Sequence, residues 1–212
     1  ARALTALAPH LPAEQQPAVY ADALAAARAI RLDSCRAEAL AALAPHLPPP
    51  LLAEALAAAQ AIEEDDDRAV ALAALAPRLP PPLLADALAA AQAIDYENWR
   101  ARALTALAPH LPTEQQPAVY AEALIAAAQV IEWDYARAKA LAALTPHLAA
   151  TPALDEQFAP TLRRLAQWGR PELLADLRAL QPWLAALAER RQQPAVWAAL
   201  ATAITETGRC WP

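Results

Sequence analysis

The sequence predicts an all-α protein, an α-solenoid of stacked helical hairpins with a C-terminal capping helical segment. Three observations lead to this fold. Strong helix formers such as Ala, Leu, Arg and Glu are abundant, and only two of the 212 residues are glycine. A proline-containing phrase returns at intervals of 32 to 37 residues. Leucines inside each interval recur at helical spacing.

The repeated phrase is LAPHLP or a close variant of it. Its first proline falls at residues 9, 45, 77, 109 and 146, with spacings of 36, 32, 32 and 37. Two apolar stripes at helical spacing fill the third interval: Leu72, Leu75 and Leu79, then Leu83, Leu84, Leu88 and Ile94. The prolines of PRLPPP between the stripes stop one helix and start the next. Each repeat is therefore predicted to be a helical hairpin.

A single hairpin of this kind is too small to fold alone. Its few large apolar side chains cannot offset the conformational entropy of ordering its backbone. Neighbouring hairpins must share their apolar faces, as in tetratricopeptide (TPR) or HEAT arrays. We expect a repeat array over residues 1–150, with a first repeat that is incomplete at its start, followed by a diverged last repeat and cap over 151–212.

Beyond residue 150 the phrase dissolves, and three less regular helices are predicted, over 151–168, 170–191 and 193–207. Gly169 suits the C-cap of the first of them. Three tryptophans, Trp168, Trp183 and Trp197, enter this segment. Because the end of an array must cover its apolar face, we expect these side chains to form the core of the cap.

The composition argues against several classes of protein. The net charge is -6 and no segment concentrates Lys or Arg, which argues against nucleic-acid binding. No apolar run approaches a membrane span, and we expect no secretory leader. The two cysteines, Cys35 and Cys210, suggest no disulfide framework. We expect a cytoplasmic, monomeric piece of a longer protein.

Residues for catalysis are also missing from the sequence patterns. Two glycines cannot build a phosphate-binding loop. Ser34, the one serine, lies in no nucleophile motif, and no histidine is placed to activate Cys35. We therefore predict that the chain is not an enzyme and uses no cofactor.

Four histidines follow the repeated phrase, at His10, His46, His110 and His147. The third repeat has Arg78 at the same position, an exchange that a metal site would not tolerate. A cation near the C-terminal end of a helix explains both residue types. The acidic run at 63–67 lacks calcium-loop spacing and is typical of a helix start. No metal is predicted.

Four connectors join the hairpins, and they vary while their flanks stay constant. They are RLDSC (31–35), EEDDD (63–67), DYENW (95–99) and EWDYA (132–136). The third letter is always acidic, which predicts a helix cap. The second, fourth and fifth letters, here called the variable letters, change freely. The candidate ligand-binding residues among them are Leu32, Ser34, Cys35, Glu64, Asp66, Asp67, Tyr96, Asn98, Trp99, Trp133 and Tyr135.

Each repeat should present its connector on the same edge of the stack, so the variable letters would form a stripe about 30 Å long. Aromatic residues mixed with Asp, Ser and Asn are typical of a surface that binds a protein or peptide ligand. The alternative is that these aromatics pack against neighbouring loops.

Other functions remain open at this point. The chain could be a structural or assembly scaffold whose connectors drift neutrally. A designed consensus array is disfavoured by the irregular spacing and the Trp-bearing cap. An RNA-reading array is disfavoured by the acidic charge.

The phrases RAxALxALAPHLP and LLAEALAAAQAI, with their short acidic-aromatic connectors, resemble the C-terminal helical repeats of large bacterial signalling and conflict proteins. Those proteins often carry a NACHT or NB-ARC nucleotide-binding module, or a protease or caspase-like effector, ahead of the repeats. The ending TGRCWP resembles the GRWWP-type ending of that family, with Cys210 where an aromatic is usual. The resemblance implies a sensor of invader-derived or self molecules, with hypervariable connector residues as its binding positions. It adds Cys210 to the candidate sites, and it implies that an N-terminal effector or NTPase module has been removed.

Overall fold

The computed structural model describes residues 3–4, 10–129, 134–167 and 170–191. Within these ranges the protein is all-α, with eleven α-helices and no strand, which confirms the predicted fold class. None of the helices in the described part of the chain is long and apolar enough to cross a membrane. The chain divides into two compact units, Ala1–Leu111 and Pro112–Pro212.

From residue 10 onward, the described part of unit 1 has six α-helices in a repeating order. They are α1 (Gln16–Arg28), α2 (Asp33–Leu43), α3 (Leu52–Gln60), α4 (Asp65–Leu75), α5 (Pro81–Gln92) and α6 (Glu97–Leu107). Helices α2, α4 and α6 pack side by side in one row. Each connector joins two helices that also pack against each other: α1 with α2, α3 with α4, and α5 with α6. The helices on either side of a proline turn pack less closely than those joined by a connector.

The repeated phrase ends one helix of each repeat in the predicted way. Short 3-10 turns follow α2, α4 and α6, at Ala44–His46, Ala76–Arg78 and Ala108–His110. The leucines of the first predicted stripe, Leu72, Leu75 and Leu79, are all buried. In the second stripe Leu84 and Ile94 are buried, while Leu83 and Leu88 are half-buried. The helical periodicity thus located the core of the repeat.

Unit 2 is built around one long helix. Its helices are α7 (Gln116–Gln129), α8 (Asp134–Ala150), α9 (Phe158–Leu165), α10 (Arg170–Ala179) and α11 (Gln181–Arg190), with a 3-10 segment at Pro152–Gln157. Helix α8 packs against α7, α10 and α11. It has the most central position among the described helices of this unit, which explains why the charged side chain of Arg137 on it is buried.

Helix α8 departs from the earlier repeats at the phrase LTPHL. Where Pro45 and Pro77 lie in 3-10 turns, Pro146 lies inside a continuous α-helix. The hydroxyl of Thr145, which replaces an alanine of the phrase, lies 2.7 Å from the carbonyl oxygen of Leu141 and 2.8 Å from that of Ala179. A threonine hydroxyl can donate to such carbonyls one at a time, so it supports this part of α8 and links it to α10.

The cap differs from its predicted helices in two respects. The segment predicted as one helix over 151–168 is a 3-10 segment at Pro152–Gln157 followed by α9. A single helix was predicted over 170–191, and the structure has α10 and α11 separated at Leu180. Pro182 lacks an N–H and is tolerated in the first turn of a helix, so a new helix starts at Gln181. Trp183 is fully buried and meets the ring of Phe158 edge-on, with ring centroids 5.0 Å apart. Trp168, Gly169 and the predicted helix over 193–207 with Trp197 lie outside the described residues.

Candidate functional site

The first three connectors all lie in unit 1, where each leads directly into a helix of the α2, α4 and α6 row. The acidic third letter is the first residue of the helix: Asp33 in α2, Asp65 in α4 and Glu97 in α6. The second letter is therefore the N-cap residue, and the fourth and fifth letters lie in the first helical turn. This placement repeats from connector to connector, so equivalent letters occupy equivalent positions.

The acidic letter does not cap its own helix, in contrast to the prediction. The N-cap residues are Leu32, Glu64 and Tyr96, and none makes a side-chain cap hydrogen bond. Instead, Oδ2 of Asp33 accepts hydrogen bonds from the backbone N–H groups of Glu63, at 2.7 Å, and Glu64, at 3.2 Å. The acidic side chain thus binds the connector of the next repeat.

An arginine three residues later completes this arrangement. The guanidinium of Arg36 pairs with Oδ1 of Asp33 and donates to the carbonyl of Ile30 at 2.9 Å. We call the pair Asp33–Arg36, and its equivalent Asp65–Arg68, the connector clasps. An acid at the third connector letter and an arginine three residues later, just after the connector, occur in all four repeats, which is the sequence signal for an ion pair on a helix.

The second clasp repeats the first in detail. Oδ2 of Asp65 accepts the N–H groups of Asp95, at 2.9 Å, and Tyr96, at 3.1 Å. Arg68 pairs with Oδ1 of Asp65 and donates to the carbonyl of Ile62 at 2.9 Å. The backbone of each second letter after the first is therefore fixed by the preceding clasp. The constant residues hold the chain at the point where the variable side chains emerge.

The second letters present their side chains to solvent. Leu32 is 62% exposed and Tyr96 is 59% exposed, and Glu64 between them is also exposed. Among the described residues, the one other large hydrophobic side chain with comparable exposure is Ile125, at 39%. Two of these three exposed apolar side chains thus occupy the same letter of two connectors. Neither of them contributes to the core.

The side chains of the fourth and fifth letters differ in their exposure to solvent. Ser34, Cys35 and Asp66 are exposed, and Asn98, Trp99 and Asp67 are half-buried. The side-chain oxygens of Asp66 and Asn98 accept the N–H of the following residue, both at 2.9 Å. The guanidinium carbon of Arg102 lies 5.7 Å from the ring centroid of Trp99, a cation–π contact. This contact lies within α6, so it is local packing on one helix, and the alternative that the aromatics pack against a neighbouring loop stays a prediction.

The remaining candidate residues cannot be placed in the same way. Trp133 and Cys210 lie outside the described residues, and Tyr135 is the second residue of α8 with its side chain outside the described set. The structure thus brings together the variable letters of the first three connectors along one edge of unit 1. The continuation of this edge into the fourth connector stays a prediction.

Carboxylates crowd the second connector. Partial burial raises the pKa of Asp67, and the negative charges of Asp66, Asp33, Glu64 and Glu38 raise it further. These carboxylates come from connectors one and two and from α2, so the stacking of repeats brings them together. Like charges at close range destabilise the folded state at neutral pH.

We expect Asp33→Asn to lower the free energy of unfolding by about 1 to 3 kcal/mol at neutral pH, because it removes a charged acceptor from one ion pair and two backbone hydrogen bonds. Chemical denaturation measures this change. The matched control is Asp22→Asn, on an exposed position of α1, for which we expect no measurable change. Equal effects of the two substitutions would show that the clasp does not stabilise the fold.

The clasp should also make the stability of the folded chain depend on pH. Partial burial of Asp33 tends to raise its pKa, but the N–H groups of Glu64 and Glu63 and the guanidinium of Arg36 hold the pKa below its ordinary value of 3.8. The stabilisation is then fully present above pH 3.8 and is lost as the pH falls through the lowered pKa. The stability difference between the native chain and Asp33→Asn should narrow in that acid range. A stability difference that stays constant over that acid range would contradict the clasp as the origin of the pH dependence.

Unit 2 also contains a pocket with polar lining residues, which can be compared with the connectors of unit 1. It has a volume of about 330 Å³, and its lining includes Tyr120, His147, Thr113 and Thr151. The Tyr120 and His147 rings stack with centroids 4.9 Å apart, and the Tyr120 hydroxyl lies 3.1 Å from Nδ1 of His147. Burial raises the pKa of Tyr120, so its hydroxyl stays protonated. The two groups satisfy each other, so His147 has a structural contact, although this contact is with a tyrosine and not with the helix C-terminal carbonyls that the sequence predicted.

Two other residues at this repeat position, His46 and Arg78, also have structural contacts. His46 stacks in parallel on Tyr20, with ring centroids 5.9 Å apart. Arg78, at the same position of the next repeat, donates to the carbonyl of Leu47 at 3.0 Å. In the described part of the chain, no three His, Cys, Asp or Glu side chains are grouped as metal ligands.

No protein-family model matches the chain, and no curated protein or solved structure is significantly similar to it. The resemblance to bacterial sensor arrays therefore stays an expectation that rests on the repeated phrases.

Proposed function

We propose that this chain is the ligand-recognition region of a larger cytoplasmic bacterial defence or signalling protein. In this proposal the variable letters of the connectors bind a protein or peptide partner, and an effector or NTPase module precedes the repeats. The chain itself carries out no catalysis. The observation that carries the proposal is that, in unit 1, constant residues hold the connector backbone while variable letters expose their side chains.

Physical contacts, and not only the pattern of variation, separate the constant residues from the variable letters. The clasps fix the backbone of the second and third connectors, and in the first connector the guanidinium of Arg36 binds the carbonyl of Ile30 beside the variable letters. Leu32 and Tyr96 expose apolar surface that the fold does not use. Exposed apolar side chains on a fixed backbone suit recognition, because little conformational freedom is lost when a partner binds.

Binding could be coupled to signalling through the stacking of the repeats. Each clasp joins one connector to the next, so the relative positions of neighbouring repeats and of their variable letters are linked. A partner that spans several connectors would favour one arrangement of the repeats over others and shift the population towards it. In the proposed parent protein this shift releases the effector module.

The proposal is tested by capture from cells of the source organism, with three versions of the chain as bait. The native chain and Ile125→Ser should retain a common partner that Leu32→Ser/Tyr96→Ser loses. Ile125 is the matched control, since it is an exposed apolar residue in the middle of α7 rather than in a connector. Identical sets of captured proteins from all three baits would contradict the proposal.

The scaffold alternative makes a different prediction. A scaffold built from copies of this chain should self-associate as its concentration rises, and the exposed Leu32 and Tyr96 would be natural contacts. Sedimentation velocity over a wide concentration range distinguishes the two functions. We expect a single monomeric species, and concentration-dependent association that Leu32→Ser/Tyr96→Ser abolishes would favour the scaffold.

A further inference from the structure

The connector edge of unit 1 has two apolar anchor points at a defined separation. Leu32 and Tyr96 occupy the same letter of the first and third connectors, which lead into α2 and α6 of one helix row. Neighbouring packed helices lie about 8 to 10 Å apart, so the two anchors are separated by roughly 20 Å. An extended chain of about six residues spans that distance. A small molecule would reach one anchor but not both.

The same edge is strongly acidic. The three connectors of unit 1 contain eight carboxylates and one arginine, Arg31. The clasps pair Asp33 and Asp65 with arginines. The carboxylates that remain exposed at the edge are Glu63, Glu64, Asp66 and Asp95. These acidic groups lie between and beside the apolar anchors, so a partner that covers Leu32 and Tyr96 must meet them.

Several carboxylates of the first two connectors repel one another. The raised pKa of Asp67 reflects burial together with repulsion from Asp66, Asp33, Glu64 and Glu38, and this repulsion destabilises the free protein. A cationic partner would replace the repulsion by attraction. It would also increase the rate of association through long-range steering.

We infer that the partner at the connector edge is a basic protein segment, an extended stretch of about six or more residues that combines Lys or Arg with apolar side chains for Leu32 and Tyr96. This inference rests on the proposed function and specifies the class of its ligand. Nucleic acids and anionic lipid surfaces are disfavoured, because their phosphates would face the exposed carboxylates. The apolar anchors distinguish this partner from a simple polycation.

Selection from a random 12-residue peptide library displayed on phage tests the inference, with the full chain as target. Two variants serve as counter-targets. Leu32→Ser/Tyr96→Ser keeps every carboxylate but lacks the anchors, and Glu64→Gln/Asp66→Asn/Asp67→Asn keeps the anchors but loses charge. All substituted side chains are exposed or half-buried, so both variants should fold, and circular dichroism with a thermal melt verifies this.

We expect peptides selected on the native chain to be rich in Lys or Arg with two or more large apolar residues. In fluorescence anisotropy, their affinity should fall about tenfold or more on each variant. Added salt should weaken binding to the native chain more than binding to the charge variant.

Three results would overturn the inference. Basic peptides that bind Leu32→Ser/Tyr96→Ser as tightly as the native chain would show general attraction to an acidic protein. Selected peptides that are neutral or acidic but need Leu32 and Tyr96 would overturn the basic partner and leave the proposed recognition function standing. Selected peptides that are insensitive to both variants would overturn the inference and the recognition function together.

Discussion

Replacing Arg137 by methionine is expected to lower the free energy of unfolding by about 3 to 5 kcal/mol. The side chains of Arg137 and Asp176 are both fully buried, and Nε of Arg137 lies 2.7 Å from Oδ2 of Asp176. Removal of the cation takes away the charge with which the buried carboxylate of Asp176 pairs at 2.7 Å, which raises the energy of the folded state. Denaturant titration, followed by circular dichroism, measures the change.

Two further variants separate the charge from the volume. In Arg137→Met/Asp176→Leu both charges are gone and apolar side chains fill the space, so we expect most of the stability to return. Arg163→Met, at an exposed position of α9, controls for the loss of an arginine alone and should be nearly neutral. An Arg137→Met variant as stable as Arg163→Met would contradict the buried ion pair.

Truncation of Trp183 to alanine should cost a similar amount, about 3 to 5 kcal/mol. Trp183 is fully buried in α11 and packs edge-on against Phe158, so its removal leaves a large cavity in the cap. The same denaturant titration measures the loss. Tyr96→Ala, at a side chain that is 59% exposed, is the matched aromatic control and should change stability by less than about 0.5 kcal/mol.

Trp183→Phe adds a test of what the indole contributes. Among the contacts of the described residues, the buried Nε1–H of Trp183 has no hydrogen-bond acceptor. Its replacement by phenylalanine therefore removes volume but no hydrogen bond, and we expect a loss of about 1 to 2 kcal/mol. Equal losses for Trp183→Ala and Tyr96→Ala would show that the cap is not built on this side chain.

The sequence predicted the repeats well because their core follows a local rule. Leucines at helical spacing and prolines after them are sufficient to place α4 and α5, and Leu72, Leu75 and Leu84 are buried as expected. The exposure of Leu32 and Tyr96 also agrees with their prediction as surface positions. Both results depend on residues that are close together in the chain.

The predictions were less accurate where distant residues decide the structure. The acid of each connector was expected to cap its own helix, but Asp33 binds the backbone of a connector 30 residues later. An acidic residue at this position is expected both for a helix cap and for a contact between repeats, so the residue type alone does not distinguish the two. The constant arginine at i+3 was the available clue, because a simple cap does not require it.

Arg137 illustrates the same limit more strongly. It occupies the sequence position of Arg36 and Arg68, which are partly exposed clasp residues, yet it is fully buried. The difference comes from α10, which brings Asp176 against α8 in unit 2. No feature of the fourth repeat's own sequence predicts that Asp176 pairs with Arg137. The continuation of α8 through Pro146 likewise involves a carbonyl at Ala179, outside the repeat.

The central claim is that the variable letters contact a different protein. Site-specific photocrosslinking tests it most directly, with p-benzoylphenylalanine in place of Leu32 and, as the control, in place of Ile125, in cells of the source organism. Position 32 should give a discrete crosslinked product between this chain and another protein, and position 125 should not. Absence of any product from position 32, or a product with the mass of two copies of this chain alone, would contradict the recognition function.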